Sequence, residues 1–252
     1  MSLEACARLV ERGDPDRFQA VMAAPVAARG RLLPLYAFNL EVARAPWVAK
    51  EPMIAEMRLQ WWRDILTEDT PRAHEVAAPL FDLIRAADIP VTVLDRMVEA
   101  RRWDIYREAF ADAEAFDAYL EETAGGLMWL SGLALGAGPG EEAALRAYGW
   151  ATGLANFLRA VPELEARGRI PLVDGRPAAV QHLASRGLIR LRAAQAARLP
   201  RGVRPALLAG WQAEPLLRKA AMDPAAVAED RLHLPEFTRR GRLLWQALTG
   251  MY

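Results

Sequence analysis

The chain has 252 residues, 53% apolar and 25% charged, with 32 Lys or Arg balanced by 32 Asp or Glu. That composition excludes a disordered polymer, and the charge balance excludes the basic footprint of a nucleic-acid binder. The length is enough to bury a sizeable core.

Taken in order, the first residues mix both charges and lack an uninterrupted apolar stretch, so no secretory leader is expected. Cys6 is the single cysteine, which excludes an internal disulfide and a cysteine-cluster metal site. His74, His182 and His233 have no metal-ligand spacing. The longest apolar run, 125–138, is too short and too rich in glycine to cross a membrane. The expected location is cytoplasmic, with peripheral contact at the inner membrane left open.

Apolar residues recur every three or four positions and no alternating pattern persists, which predicts an all-α chain. Asp14-Pro15-Asp16 predicts a helix start, with Asp as the cap and Pro in the first turn. Further helices are predicted over 29–45, 51–67, 72–87, 91–111, 114–136, 141–166, 177–198, 202–220 and 235–249. Pro46 is expected to interrupt the first of these. The turn signals between them, such as Thr70-Pro71 and Asp174-Gly175, are too short to be linkers, so one domain over 1–252 is expected.

Four local features admit two readings each. Trp61-Trp62 reads as the core stripe of an amphipathic helix, with a prenyl pocket or partner groove as the alternative. Asp104, Glu108 and Asp112 read as a solvated helix face with ion pairs to Arg101, Arg102 and Arg107. Gly125, Gly126 and Gly132 predict a kink beside a ligand or a close helix contact. Arg167-Gly168-Arg169 reads as favourable charge at a helix end or as a phosphate site.

The most informative stretch is Asn156 to Leu172. On a helix, Asn156, Ala160 and Leu164 share one face, rising about 6 Å per step. Carboxylates at that spacing hold Mg²⁺ against a diphosphate. Neither Ala160 nor Leu164 ligates a cation.

Three segments together resemble the squalene/phytoene synthase family, whose members join two prenyl diphosphates head to head. They are Leu35–Arg44 followed by Arg58–Arg63, Arg102–Ile105 with Tyr119–Gly126, and Asn156–Leu172. The resemblance implies a single-domain, isoprenoid-synthase-like helical bundle around a central cavity. The family places aspartates where this chain has Ala43, Trp47, Ala160 and Leu164. Asn156, Arg159, Asp104 and the Arg167 to Arg169 segment remain at matching positions.

A narrower resemblance is to the metal-site-deficient branch that includes complex I assembly factor 6. It rests on Ala37–Ala43, Glu51–Trp62 and Leu158–Pro162. This resemblance implies a non-catalytic protein that binds a partner in respiratory complex assembly, with an isoprenoid or lipid ligand and no cofactor. The implied ligand-binding residues are Tyr36, Asn39, Asn156, Arg159, Arg167 and Arg169. The alternative is a prenyl diphosphate transferase that uses Mg²⁺ and substitute carboxylates, with Glu41, Asp104 and Glu163 as candidates.

Overall fold

A computed structural model describes residues 3–48 and 51–252, whose regular elements are all helices, with no strand among them. The helices are α1 (Leu3–Gly13), α2 (Pro15–Ala23), α3 (Val26–Val48), α4 (Pro52–Leu66), α5 (Ala77–Ala87) and α6 (Val91–Ala100). They continue with α7 (Ala113–Leu120), α8 (Gly126–Ala134), α9 (Glu142–Ala166), α10 (Pro177–Ala196), α11 (Ala213–Met222), α12 (Ala225–Ala228) and α13 (Glu236–Thr249). The fold is a single all-α domain.

Two long helices organise the molecule. α3 packs against α1, α2, α4, α5 and α8, whereas α9 packs against α8, α10, α11 and α12. Both bury residues on more than one face, Leu35, Ala37, Phe38 and Val42 in α3 and Leu154, Ala155, Leu158 and Val161 in α9. A helix apolar nearly all round is stable only when neighbours cover it on several sides.

The expected start of α2 is present: the Asp14 side chain accepts the Arg17 backbone N–H at 3.0 Å, and Pro15 opens the helix. Pro46 does not break α3, which continues through Pro34 and Pro46 to Val48. A proline forfeits one backbone bond while its φ suits a helix. Here the guanidiniums of Arg167 and Arg169 lie 4.7 and 4.5 Å from the Trp47 ring centroid and hold that last turn.

The helix expected over 91–111 ends at Ala100, followed by a 3-10 turn over Arg101–Asp104 and irregular chain to Asp112. Asp104, Glu108 and Asp112 therefore share no helix face, and Asp104 is buried rather than solvated. Arg169 explains the stop. Its guanidinium donates to the carbonyls of Trp103, Asp104 and Tyr106, at 2.7 Å to Tyr106, and takes acceptors that a continuing helix would have used. Asp112 then caps α7 by accepting the Ala115 N–H at 2.8 Å.

Three other boundaries differ from expectation. The 114–136 helix contains a π turn at Glu121–Gly125, the 202–220 helix divides into a 3-10 stretch (Arg204–Gly210) and α11, and α1 lies where none was predicted. The π turn sits where α9 crosses most closely. A Cβ on Gly149 would stand 2.5 Å from the Ala124 carbonyl oxygen, and one on Gly153 2.5 Å from the Ala124 Cβ. The close helix contact expected at the 125–126 glycines is present, with the close approach supplied by glycines of the facing helix.

Candidate functional site: a cavity between two long helices

Between α3 and α9 lies a cavity of about 240 Å³. From α3 it is lined by Asn39, Ala43 and Trp47, and from α9 by Asn156, Ala160 and Leu164. Each helix thus presents three residues at four-residue spacing to the same space. Ala43, Trp47, Ala160 and Leu164, widely separated in sequence, meet at one site.

Asp104 also reaches the cavity. The end of α6 and α7 supply its partners: Arg101 Nη1 donates to Oδ2 at 3.0 Å, and the Tyr119 hydroxyl lies 3.1 Å from both carboxylate oxygens. Asp104 is 4% exposed, so this charge is neutralised inside the protein. Burial opposes the Arg101 charge, but Tyr119 and Asp104 outweigh it and hold the guanidinium above its usual range. Burial pushes the Tyr119 phenol far above its ordinary value.

Arg17 from α2 and Thr123 from the π turn complete the polar lining. The Thr123 hydroxyl donates to the Tyr119 carbonyl at 2.5 Å. Asn39 is buried, and among the described residues its amide has no hydrogen-bond partner. Arg17 is paired with Asp14 at 3.2 Å and Arg101 with Asp104, so the charges at the cavity are matched within the protein. Among the described residues no cluster of three or more His, Cys, Asp or Glu side chains could hold a metal ion.

The other expected site residues divide sharply. Arg159 pairs with Asp16 at 3.1 Å, and Arg167 pairs with Glu163 on the surface. Arg169 is occupied by backbone carbonyls, and burial pushes its guanidinium below the usual range. In this structure all three arginines have partners within the protein. Tyr36 is buried 5.1 Å from the Arg17 guanidinium, beside the cavity rather than lining it.

Of the substitute carboxylates, only Asp104 lines the cavity. Glu163 is exposed, and Glu41 opens onto a separate surface groove of about 430 Å³ beside Met57, Trp61 and Trp62. In that groove Trp62 is buried edge-on to Phe38 at 5.2 Å, while Trp61 stands between Trp62 and His74. The core stripe and the groove are thus both real features of α4.

Sequence reasoning missed Arg17 and the burial of the Arg101–Asp104 pair. The three-residue spacing signals a local pair, as expected, but not that it lies inside the protein rather than on a solvated face. Arg17 carries no such signal. The cavity's aromatic flank, in which Trp103 stacks on Phe110 at 3.9 Å and Phe157 packs edge-on to Phe116 at 5.1 Å, also joins distant segments.

Comparison with known proteins places this geometry. A dehydrosqualene synthase crystal structure superposes with a TM-score of 0.82 at 15% identity, covering 98% of this chain and 95% of that one. The squalene synthase HpnC from Alicyclobacillus acidocaldarius superposes at 0.71 with 19% identity, covering 88% and 94%. These likenesses show the fold. Among curated proteins, NADH dehydrogenase (ubiquinone) complex I, assembly factor 6 from Bos taurus is 26% identical over 169 residues, which is 66% of this chain and 51% of the relative. Its Drosophila melanogaster homolog is 29% identical over 179 residues, 67% of this chain and 53% of the relative. The chain spans about half the length of these relatives. The squalene/phytoene synthase family profile matches residues 10–173, most of the chain and every residue that lines the cavity from α3 and α9, and the chain belongs to that family.

Proposed function

We propose that this protein is a non-catalytic member of its family that binds a protein partner and assists the assembly of respiratory complex I, with an isoprenoid or other lipid in the cavity. The observation that carries this reading is the wall formed by Ala43, Trp47, Ala160 and Leu164 where metal ligands would stand. Ionising an allylic diphosphate requires the departing charge to be neutralised, which bridging metal ions accomplish. Methyl groups, an indole and an isobutyl group cannot hold those ions, and Asp104 is already paired with Arg101 and Tyr119. No cofactor is needed for this role.

The names of the curated relatives support the assembly half of the proposal. The small cavity supports the non-catalytic half: about 240 Å³ lies below the roughly 300–1,000 Å³ of ordinary ligand pockets and leaves no room for two prenyl diphosphates.

Deletion of the gene in its own organism is the direct test, read by native gels of complex I and by NADH:ubiquinone activity. Loss of assembled complex, restored by the wild-type gene, is expected. Unchanged complex I overturns the assembly role. The non-catalytic half has a separate readout: purified protein given farnesyl or geranylgeranyl diphosphate and Mg²⁺ should release no diphosphate above a protein-free blank. Release with formation of a prenyl product would establish prenyl transfer instead.

A further inference from the structure

Trp47 lines two spaces. One is the cavity between α3 and α9, and the other is a separate pocket of about 310 Å³. This second pocket is walled by Pro46 and Trp47 near the end of α3, by Pro52 at the start of α4, and by Arg107, Arg167 and Arg169. Among the described residues no Asp or Glu lines it. At the cavity Asp104 answers Arg101, whereas here three guanidiniums share a concave space with no carboxylate in its wall.

The end of α9 gathers these groups. The Gly168 N–H donates to the Glu165 carbonyl at 2.8 Å and the Arg169 N–H to the Leu164 carbonyl at 3.0 Å, and Gly168 takes the positive φ of 76° that such a helix end requires. The arginines on either side of that glycine both lie against the Trp47 ring. Arg107, from the irregular chain between α6 and α7, reaches the same turn: a Cβ on Gly168 would stand 3.7 Å from its Nη1. The dipole of α9 favours positive charge at its C-terminus, which accounts for Arg167 and Arg169 but not for a third guanidinium brought from a distant segment.

The three differ in what they have left to donate. Arg169 spends its fork on the carbonyls of Trp103, Asp104 and Tyr106, and Arg167 donates to Glu163 through Nη2. Arg107 is exposed and makes no hydrogen bond or ion pair among the described residues. Burial does most to hold Arg169 below its usual range; Asp104 and Tyr119 oppose this, while the charges of Arg107 and Arg167 push it further down. An anion among the three would relieve that repulsion. We infer that this pocket binds a small phosphate-type oxyanion, inorganic phosphate or a phosphomonoester, held by Arg107 and Arg167 in the field of Arg169. Guanidiniums meet phosphate oxygens with charge-assisted, forked hydrogen bonds. The inference goes beyond the assembly role and does not depend on it.

The test is calorimetric titration of the purified full chain with inorganic phosphate, the ionic strength being held constant with chloride. Saturable binding at a Kd of roughly 1 mM or tighter is expected. Arg107→Gln should weaken it about tenfold or more, the worth of one charge-assisted bond, without moving the thermal midpoint measured in chloride, because Arg107 is exposed. Arg167→Gln should weaken it as well. Substituting an exposed arginine outside the pocket, Arg198→Gln, should leave it unchanged. A wild-type chain that takes up no phosphate, or binding that Arg107→Gln leaves intact, overturns the inference. So does an equal loss from Arg198→Gln, which would mark a diffuse effect of surface charge rather than a site.

Discussion

Asp104 and Asp16 each gather arginines from distant parts of the chain, yet they do different work. Asp104 stands at the cavity, is 4% exposed, and is matched by Arg101 and the Tyr119 hydroxyl. Asp16 lies near the surface, where it joins α2 to α9 through Arg159, to the segment before α11 through Gln212 at 2.8 Å, and to α13 through Arg239. One carboxylate neutralises charge in a dry interior; the other staples four parts of the chain in a partly wet one. Both show how this fold pairs its arginines internally.

The largest effect should come from the dry cluster. Asp104→Ala leaves Arg101 buried without its counter-charge and should cost about 3–5 kcal/mol in denaturant unfolding. A loss no larger than that of an exposed ion pair would break the distinction between the two clusters. Arg169→Met should follow at about 2–3 kcal/mol, because it strands the carbonyls of Trp103, Asp104 and Tyr106. Arg169→Lys should recover little of this, since an ammonium cannot reproduce the planar fork; full recovery would show that charge rather than geometry holds the turn.

Asp16→Ala should cost only about 1 kcal/mol, because its partners are partly exposed and screened. The smallest effect is a matter of pH. Burial pushes the Asp16 carboxyl up, but the Gln212 amide and then Arg159 and Arg239 outweigh it and hold the carboxyl below its ordinary 3.8. Its stabilising contribution is therefore complete above that ordinary value and is lost as the pH falls through the lower folded-state value. Unfolding midpoints measured over this acid range should converge for wild type and Asp16→Asn; a constant gap would mean that Asp16 contributes through packing alone.

Much of the cavity was legible before the fold was known. The step of four from Asn39 to Ala43 to Trp47, and from Asn156 to Ala160 to Leu164, follows from helical geometry, and each set does face the cavity. Asp104 was marked by its position but misread as solvated, because local sequence does not say that Arg169 will end α6 and draw Asp104 inward. The remaining acid candidates show the same limit from the other side. Glu41 and Glu163 lie one or two residues from cavity positions, and on a helix that small shift turns a side chain to another face.

The sequence by itself determined the all-α class, most helix positions, family membership and the lack of a carboxylate at Ala43, Trp47, Ala160 and Leu164. These rest on residue identity and on a helical period that acts within a few turns. Only the tertiary structure decided that Arg159, Arg167 and Arg169 are bound to partners within the protein, that Asp104 is paired, and that α13 shows its leucines to solvent. Each of those outcomes is a choice among competing partners for a charge, and Arg239 meeting Asp16 from 223 residues away has no trace in the local pattern of either. Long-range ion pairing is settled by which surfaces the core brings together, after the local period has done its part.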